Sequence, residues 1–273
     1  METTWSAPDR ISLYAMASIA FVVACVSHEV IGHGGVCLAV GGHITLLTSV
    51  YFRSINGGVL TDAAGPLANL IFGICCVVLA RRHPQFSQAR LFLVLAAVFN
   101  LLWGTGYFIF SAVTDTGDWA LVLRGLSLQP IWLWRCLMGA LGLILYIWST
   151  RTATSLLPRG TPLVGPYLVA GVVSCSAVFF FAGPLLPALR AAAQESLGSG
   201  VGLLIVACRG RRLADVRPTQ FRPASTVGWL VVSIVVLSLF FLLLGKGFGD
   251  AASHRSPVSQ VRLCVDRIEV IHA

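Results

Sequence analysis

Long apolar runs separated by short polar joints set the pattern of this chain. Seven stretches, at 11–40, 62–80, 91–113, 131–149, 163–183, 188–208 and 226–244, could cross or enter a bilayer. A hydrocarbon core about 30 Å thick takes about 20 helical residues, and most of these runs meet that length. The sixth is the weakest, because Arg190, Gln194 and Glu195 fall in its first half, so six full spans are the alternative. Between the first two runs the texture changes. Residues 44–52 are β-prone, Asn56-Gly57-Gly58 reads as a turn, and Val59-Leu60-Thr61 reads as a return strand. The expected fold class is therefore an all-α polytopic membrane protein of six to seven transmembrane helices, with a small β-hairpin between the first two. Unpaired strand edges are not tolerated against lipid, so the hairpin at 43–60 must be covered, line a wet cavity or pair with another strand.

Composition sharpens this picture. Hydrophobic residues make up 56% of the chain and charged residues only 11%, against roughly 25% charged in a soluble domain. One membrane domain over 1–273 follows: a core at 11–119, additional membrane helices at 120–245, and a polar C-terminal tail at 246–273. Arg10 and the apolar run after it resemble a signal peptide, but the run continues past Ser27 to Val40, which favours a retained helix. Eight cysteines occur without a Cys-x-x-Cys pair, so neither a disulfide framework nor a cysteine zinc site is indicated.

The net charge of +8 does not point to nucleic acid, because the arginines are scattered between apolar runs. Arg10, Arg81, Arg82, Arg90, Arg151, Arg159, Arg209, Arg211, Arg212, Arg217 and Arg222 instead fall on one side of the expected topology. The positive-inside rule then puts the N-terminus in the cytoplasm of a cell (inner) membrane and, with seven crossings, the tail outside; six would reverse the tail. Arg135 is expected to snorkel.

The chemistry concentrates in Ser27-His28-Glu29-Val30-Ile31-Gly32-His33. Ionisable side chains inside a membrane are costly and tend to mark pathways or reaction centres. In the zinc-protease pattern His-Glu-x-x-His, the two histidines stand about 40° apart around a helix and reach one metal while the glutamate activates water. Here one more residue intervenes. At i and i+5 the offset is about 140° in a regular α-helix, which turns the imidazoles apart. A π-bulge absorbs the extra residue, such bulges occur at functional sites, and Gly32 eases one. Alternatively, a regular helix would use Glu29 and His33 as ligands with His28 outside, which suits metal transport or sensing as well as catalysis.

The second apolar run opens with Ala63-Ala64-Gly65-Pro66-Leu67-Ala68-Asn69. Proline suits a first helical turn and small residues permit close helix approach. Together with the His-Glu cluster, this Gly-Pro-x-x-Asn element resembles the site-2 protease family of intramembrane zinc metallopeptidases. The resemblance covers roughly residues 27–119. Two departures stand out. One is the extra residue, for which the His-Glu-x-x-x-His zinc site of the dipeptidyl peptidase III family is a precedent. The other is the family's third ligand, an aspartate usually found in Asn-x-x-Pro and Leu-Asp-Gly contexts. Here Asn100-Leu101-Leu102-Trp103 is followed later by Asp115-Thr116-Gly117-Asp118-Trp119.

The resemblance implies a zinc site of His28, His33 and either Asp118 or Asp115. Asp118 is preferred, because Gly117 and Trp119 suit a tight turn that aims the carboxylate inward. Both acids also read as solvated loop residues or helix caps. His43 is a further candidate ligand. Glu29 is the expected general base, and Asn69 and Asn100 are expected to donate to the developing oxyanion or hold the substrate backbone. The implied substrate is a membrane-anchored protein, which must unwind for cleavage and could add as a strand to the hairpin. The rival reading is non-catalytic: an inactive relative that binds clients, or a metal transporter or sensor.

Overall fold

The computed structural model describes residues 7–83, 87–158, 160–212 and 226–249. Among them, six helices are long and apolar enough to cross a membrane: α1 (Arg10–Ala39), α2 (Gly58–Arg82), α3 (Gln88–Thr114), α5 (Ile131–Leu156), α7 (Leu185–Arg209) and α8 (Thr226–Gly245). Two shorter helices, α4 (Asp118–Gly125) and α6 (Val164–Val178), complete the bundle. The chain is an all-α, multi-pass membrane protein. Residues 250–273 of the polar tail, with Cys264, and Arg159, Arg217 and Arg222 lie outside the described residues.

Two apolar runs exchange rank relative to the sequence reading. The stretch at 188–208 lies within the 25-residue helix α7, because its polar Glu195 is buried among other helices. The stretch at 163–183 forms only the 15-residue α6, about 22 Å of helix, and ends in turns at Phe179–Phe181 before Gly183-Pro184.

Helices α1 and α3 form the core. The most hydrophobic windows of α1 and α3 are 78% and 72% buried, against 17% for α5 and α8, which present their apolar side chains outward. The starts of α1, α3 and α8 share one end of the bundle: Ser12 donates to Thr226, and Trp229 Nε1 donates to Gln88 at 2.8 Å. Arg10, Arg81, Arg82 and Arg90 lie at that end. At the other end the backbone amide of Ser49 donates to the Leu244 carbonyl, seating the hairpin against the end of α8.

The hairpin is real but shorter than the sequence suggests. Strands β1 (His43–Leu47) and β2 (Phe52–Ile55) pair antiparallel with a bulge at Thr45, and β3 (Phe248–Gly249) covers the other edge of β1, giving the order β2-β1-β3. The turn sits at 48–51 because the Thr48 hydroxyl accepts from the amides of Val50 and Tyr51. Asn56 and Gly58, both at positive φ, instead turn the chain into α2, so Val59, Leu60 and Thr61 are helical, not a return strand. Pro66 consequently lies inside α2 and not in its first turn.

Candidate metal centre

Helix α1 changes its winding at the His-Glu cluster. The residues Val26–Gly35 are π-helical, continuous with α-helix on both sides. With backbone bonds running i to i+5, residues five apart stack on one side, so His28 and His33 face the same way. Their rings lie 4.9 Å apart, centroid to centroid, and their Nε2 atoms are 3.3 Å apart. The regular-helix alternative, with His28 turned away, is set aside by this geometry.

The third group comes from the α3–α4 joint. Asp115 ends α3 in the left-handed region, Gly117 follows at φ 81°, and the chain turns so that Asp118 begins α4 facing the histidines. Its Oδ2 stands 3.1 Å from His28 Nε2 and 3.3 Å from His33 Nε2. Burial opposes ionisation of this carboxyl, but the imidazoles of His33 and His28, when protonated, hold it well below the usual carboxylate range.

Asp115, the other candidate, points elsewhere. It is partly exposed and pairs with Arg124 at 3.1 Å and Arg135 at 3.6 Å. Arg135, expected to snorkel, also donates to the Ala112 and Val113 carbonyls and so caps α3. His43 stands at the exposed start of β1, outside the cluster. Among the described residues, the potential metal group is His28, His33 and Asp118.

The two asparagines hold a histidine and face no open position. Both are fully buried. Asn100 Nδ2 donates to the Ala96 carbonyl, which leaves Asn100 Oδ1 to accept from Asn69 Nδ2 at 3.0 Å; Asn69 Nδ2 also donates to the Ala24 carbonyl. The Asn69 Oδ1 must then face His28 Nδ1, at 2.6 Å, as acceptor. That chain places the proton on His28 Nδ1 and leaves Nε2 with a lone pair. The Thr61 carbonyl, 2.7 Å from His33 Nδ1, does the same for His33. Both amide hydrogens of Asn69 are thus committed, to the Ala24 carbonyl and to Asn100, while Asn100 gives a hydrogen to the Ala96 carbonyl, so the two asparagines are engaged in holding His28.

With both imidazoles neutral, three acceptor atoms face one another with no donor between them, an arrangement that a cation would satisfy. Their separations also suit zinc. Tetrahedral ligands at about 2.0–2.1 Å from a metal lie about 3.3 Å from each other, and the observed edges are 3.1, 3.3 and 3.3 Å. A metal held by two imidazoles and one carboxylate would keep a fourth position for a reactant.

Close helix packing makes room for this trio. A Cβ at Gly65 would collide with His33 Nε2 and lie 2.8 Å from His28 Nε2; a Cβ at Gly32 would lie 2.7 Å from the Ala64 carbonyl oxygen. Trp103 stacks on His28 at 5.2 Å, Tyr107 tilts against it at 5.2 Å, and Phe52 of β2 stacks on His33 at 5.1 Å. The sequence reading missed these walls. Asn100, Trp103 and Tyr107 nevertheless stand at i, i+3 and i+7, one face of α3, which is the signal that marks them. Glu29 is buried, and its Oε2 has no hydrogen-bond partner.

No family model, curated protein or solved structure matches this chain.

Proposed function

We propose that this chain is an intramembrane zinc metallopeptidase of the site-2 protease type, hydrolysing peptide bonds of membrane-anchored proteins. The observation that carries the reading is the convergence of His28 Nε2, His33 Nε2 and Asp118 Oδ2 within 3.3 Å of one another, made by a π-helical turn. Zinc held there supplies Lewis acidity toward a carbonyl and acidifies water.

The chain's own residues do the rest. Glu29, buried beside His28 with a free oxygen, takes the proton of the attacking water and returns it to the leaving amine as the C–N bond breaks. Asn69 and the Thr61 carbonyl keep both imidazoles in the ligating tautomer. An unwound substrate segment pairs with the free edge of β2, since β3 already covers the far edge of β1, and Phe52 brings that edge beside His33. The arginine-bearing end faces the cytoplasm of a cell membrane under the positive-inside rule, so the N-terminus is cytoplasmic. The metal centre then opens in the outer half of the bilayer.

The test is proteolysis of membrane-anchored reporters by purified protein with zinc bound. Glu29→Gln is expected to keep the metal and lose cleavage. Retained cleavage would end the peptidase assignment. A wild-type protein that binds zinc but never cleaves would favour the client-binding or metal-handling reading.

A further inference from the structure

At the arginine-bearing end of the bundle, the end of α5, the start of α6 and the end of α7 line a cavity of about 590 Å³ that shares no residue with the metal centre. Clefts of about 300–1,000 Å³ are of the size that holds small ligands. A Cβ at Gly165 of α6 would meet the Tyr14 ring of α1, so the start of α6 stands at the same end as the start of α1.

The charge of this cavity is one-sided. Arg151 of α5 and Arg209 of α7 line it, and no aspartate or glutamate does. Among the described residues neither arginine has a carboxylate partner. Half-buried Arg209 donates from Nη1 to the Thr150 hydroxyl at 3.1 Å, which holds the guanidinium at the cavity wall and leaves its remaining N–H groups for another acceptor. The hydroxyls in the wall are already engaged: Thr154, Ser155 and Thr161 give their hydrogens to the Thr150, Thr152 and Pro158 carbonyls. The donors left to a ligand are therefore the two guanidinium groups and the first-turn amides of α6, which no side chain at Leu163 caps. Positive charge without a facing acid suits an anion with several oxygens, and the planar guanidinium fork matches a phosphate group.

Depth and wall chemistry identify where that phosphate comes from. Arg209 ends the membrane-crossing length of α7 and Arg151 lies in the last two turns of α5, so the cavity stands where the spans meet the headgroup layer. Leu157, Leu163 and Val206 give it an apolar side, which suits the glycerol and upper chain of a lipid better than a fully hydrated free ion.

We infer that this cavity is a lipid site, in which Arg151 and Arg209 hold the phosphate of an anionic headgroup. The site is independent of the metal centre and of the chemistry proposed there.

The full chain in detergent is titrated with dioctanoyl phosphatidylglycerol, dioctanoyl phosphatidylcholine and inorganic phosphate, and binding is read by native mass spectrometry. Phosphatidylglycerol is expected to bind about tenfold tighter or more than phosphatidylcholine. Arg151→Gln combined with Arg209→Gln is expected to weaken phosphatidylglycerol about tenfold or more and to leave phosphatidylcholine within about twofold. Arg81→Gln combined with Arg82→Gln removes the same charge from the same end outside the cavity, and is expected to change either affinity by no more than about twofold. Arg151 is exposed, so Arg151→Gln alone, expected to cost about threefold, decides the matter where the double variant fails to fold. Equal affinity for the two lipids, wild-type phosphatidylglycerol affinity in Arg151→Gln, or equal losses from the cavity pair and the Arg81 and Arg82 pair overturns the site. Inorganic phosphate that binds as tightly as phosphatidylglycerol overturns a lipid as the occupant.

Discussion

The Nε2 atoms of His28 and His33 stand 3.3 Å apart although five positions of one helix separate the residues. In an α-helix that spacing would point the rings about 140° apart, so the contact depends on the π-helical winding of Val26–Gly35. The extra residue that makes the motif irregular is absorbed by the backbone, and the imidazole pair emerges with the geometry of a shorter motif.

Glu29→Gln separates chemistry from metal binding. The carboxylate is outside the convergent trio, so zinc content by mass spectrometry is expected to match the wild type, whereas the cleavage rate is expected to fall by about 10²–10⁴-fold.

The asparagine chain predicts a graded response. Asn69→Leu removes the acceptor that orients His28, and zinc affinity is expected to fall by roughly 10–100-fold. Asn100→Ala acts one bond further away and is expected to cost less. A competition titration with a chelator ranks the two; equal effects would contradict the chain.

The two aspartates are expected to differ sharply. Asp118→Asn exchanges a charged ligand oxygen for a neutral amide, and the purified protein is expected to lose most of its zinc. Asp115→Asn breaks only partly exposed pairs with Arg124 and Arg135, so zinc content is expected to hold while stability changes by about 0–1 kcal/mol. Metal content together with thermal unfolding reads both.

Glycine substitutions test the packing that surrounds the trio. Gly65→Ala places a methyl group against His33 and His28, and loss of zinc is expected in a protein that still folds. Gly32→Ala places its methyl against the backbone of α2, and a destabilisation of about 1–3 kcal/mol is expected from the forced separation of α1 and α2. Unfolding midpoints in detergent distinguish the two outcomes.

Local periodicity made much of this molecule legible. The apolar runs mark the spans, because a membrane helix announces itself by length and composition alone. The i, i+5 spacing of His28 and His33 admitted a bulged helix, because winding is a local property, and the bulge is there. Legibility ended where a contact joined distant segments. Asn56-Gly57-Gly58 looked like the hairpin turn, yet the Thr48 side chain supplies the turn and Asn56 starts a helix. The run at 163–183 read as a stronger span than 188–208, yet the latter lies in the longer helix, because burial of Glu195 is a tertiary fact.

The sequence by itself thus determined the multi-pass helical class and the His-Glu cluster, and left two windings for that cluster, a π-bulge and a regular helix. Tertiary structure alone decided that Asp118 faces the histidines while Asp115 faces arginines, and that Asn69 and Asn100 hold a ring in place. The reason is physical. A spacing along one helix specifies angles about that helix, but convergence of atoms from α1, α2, α3 and α4 depends on how close the helices approach. Gly32 and Gly65 permit that approach, and only the packed bundle shows it.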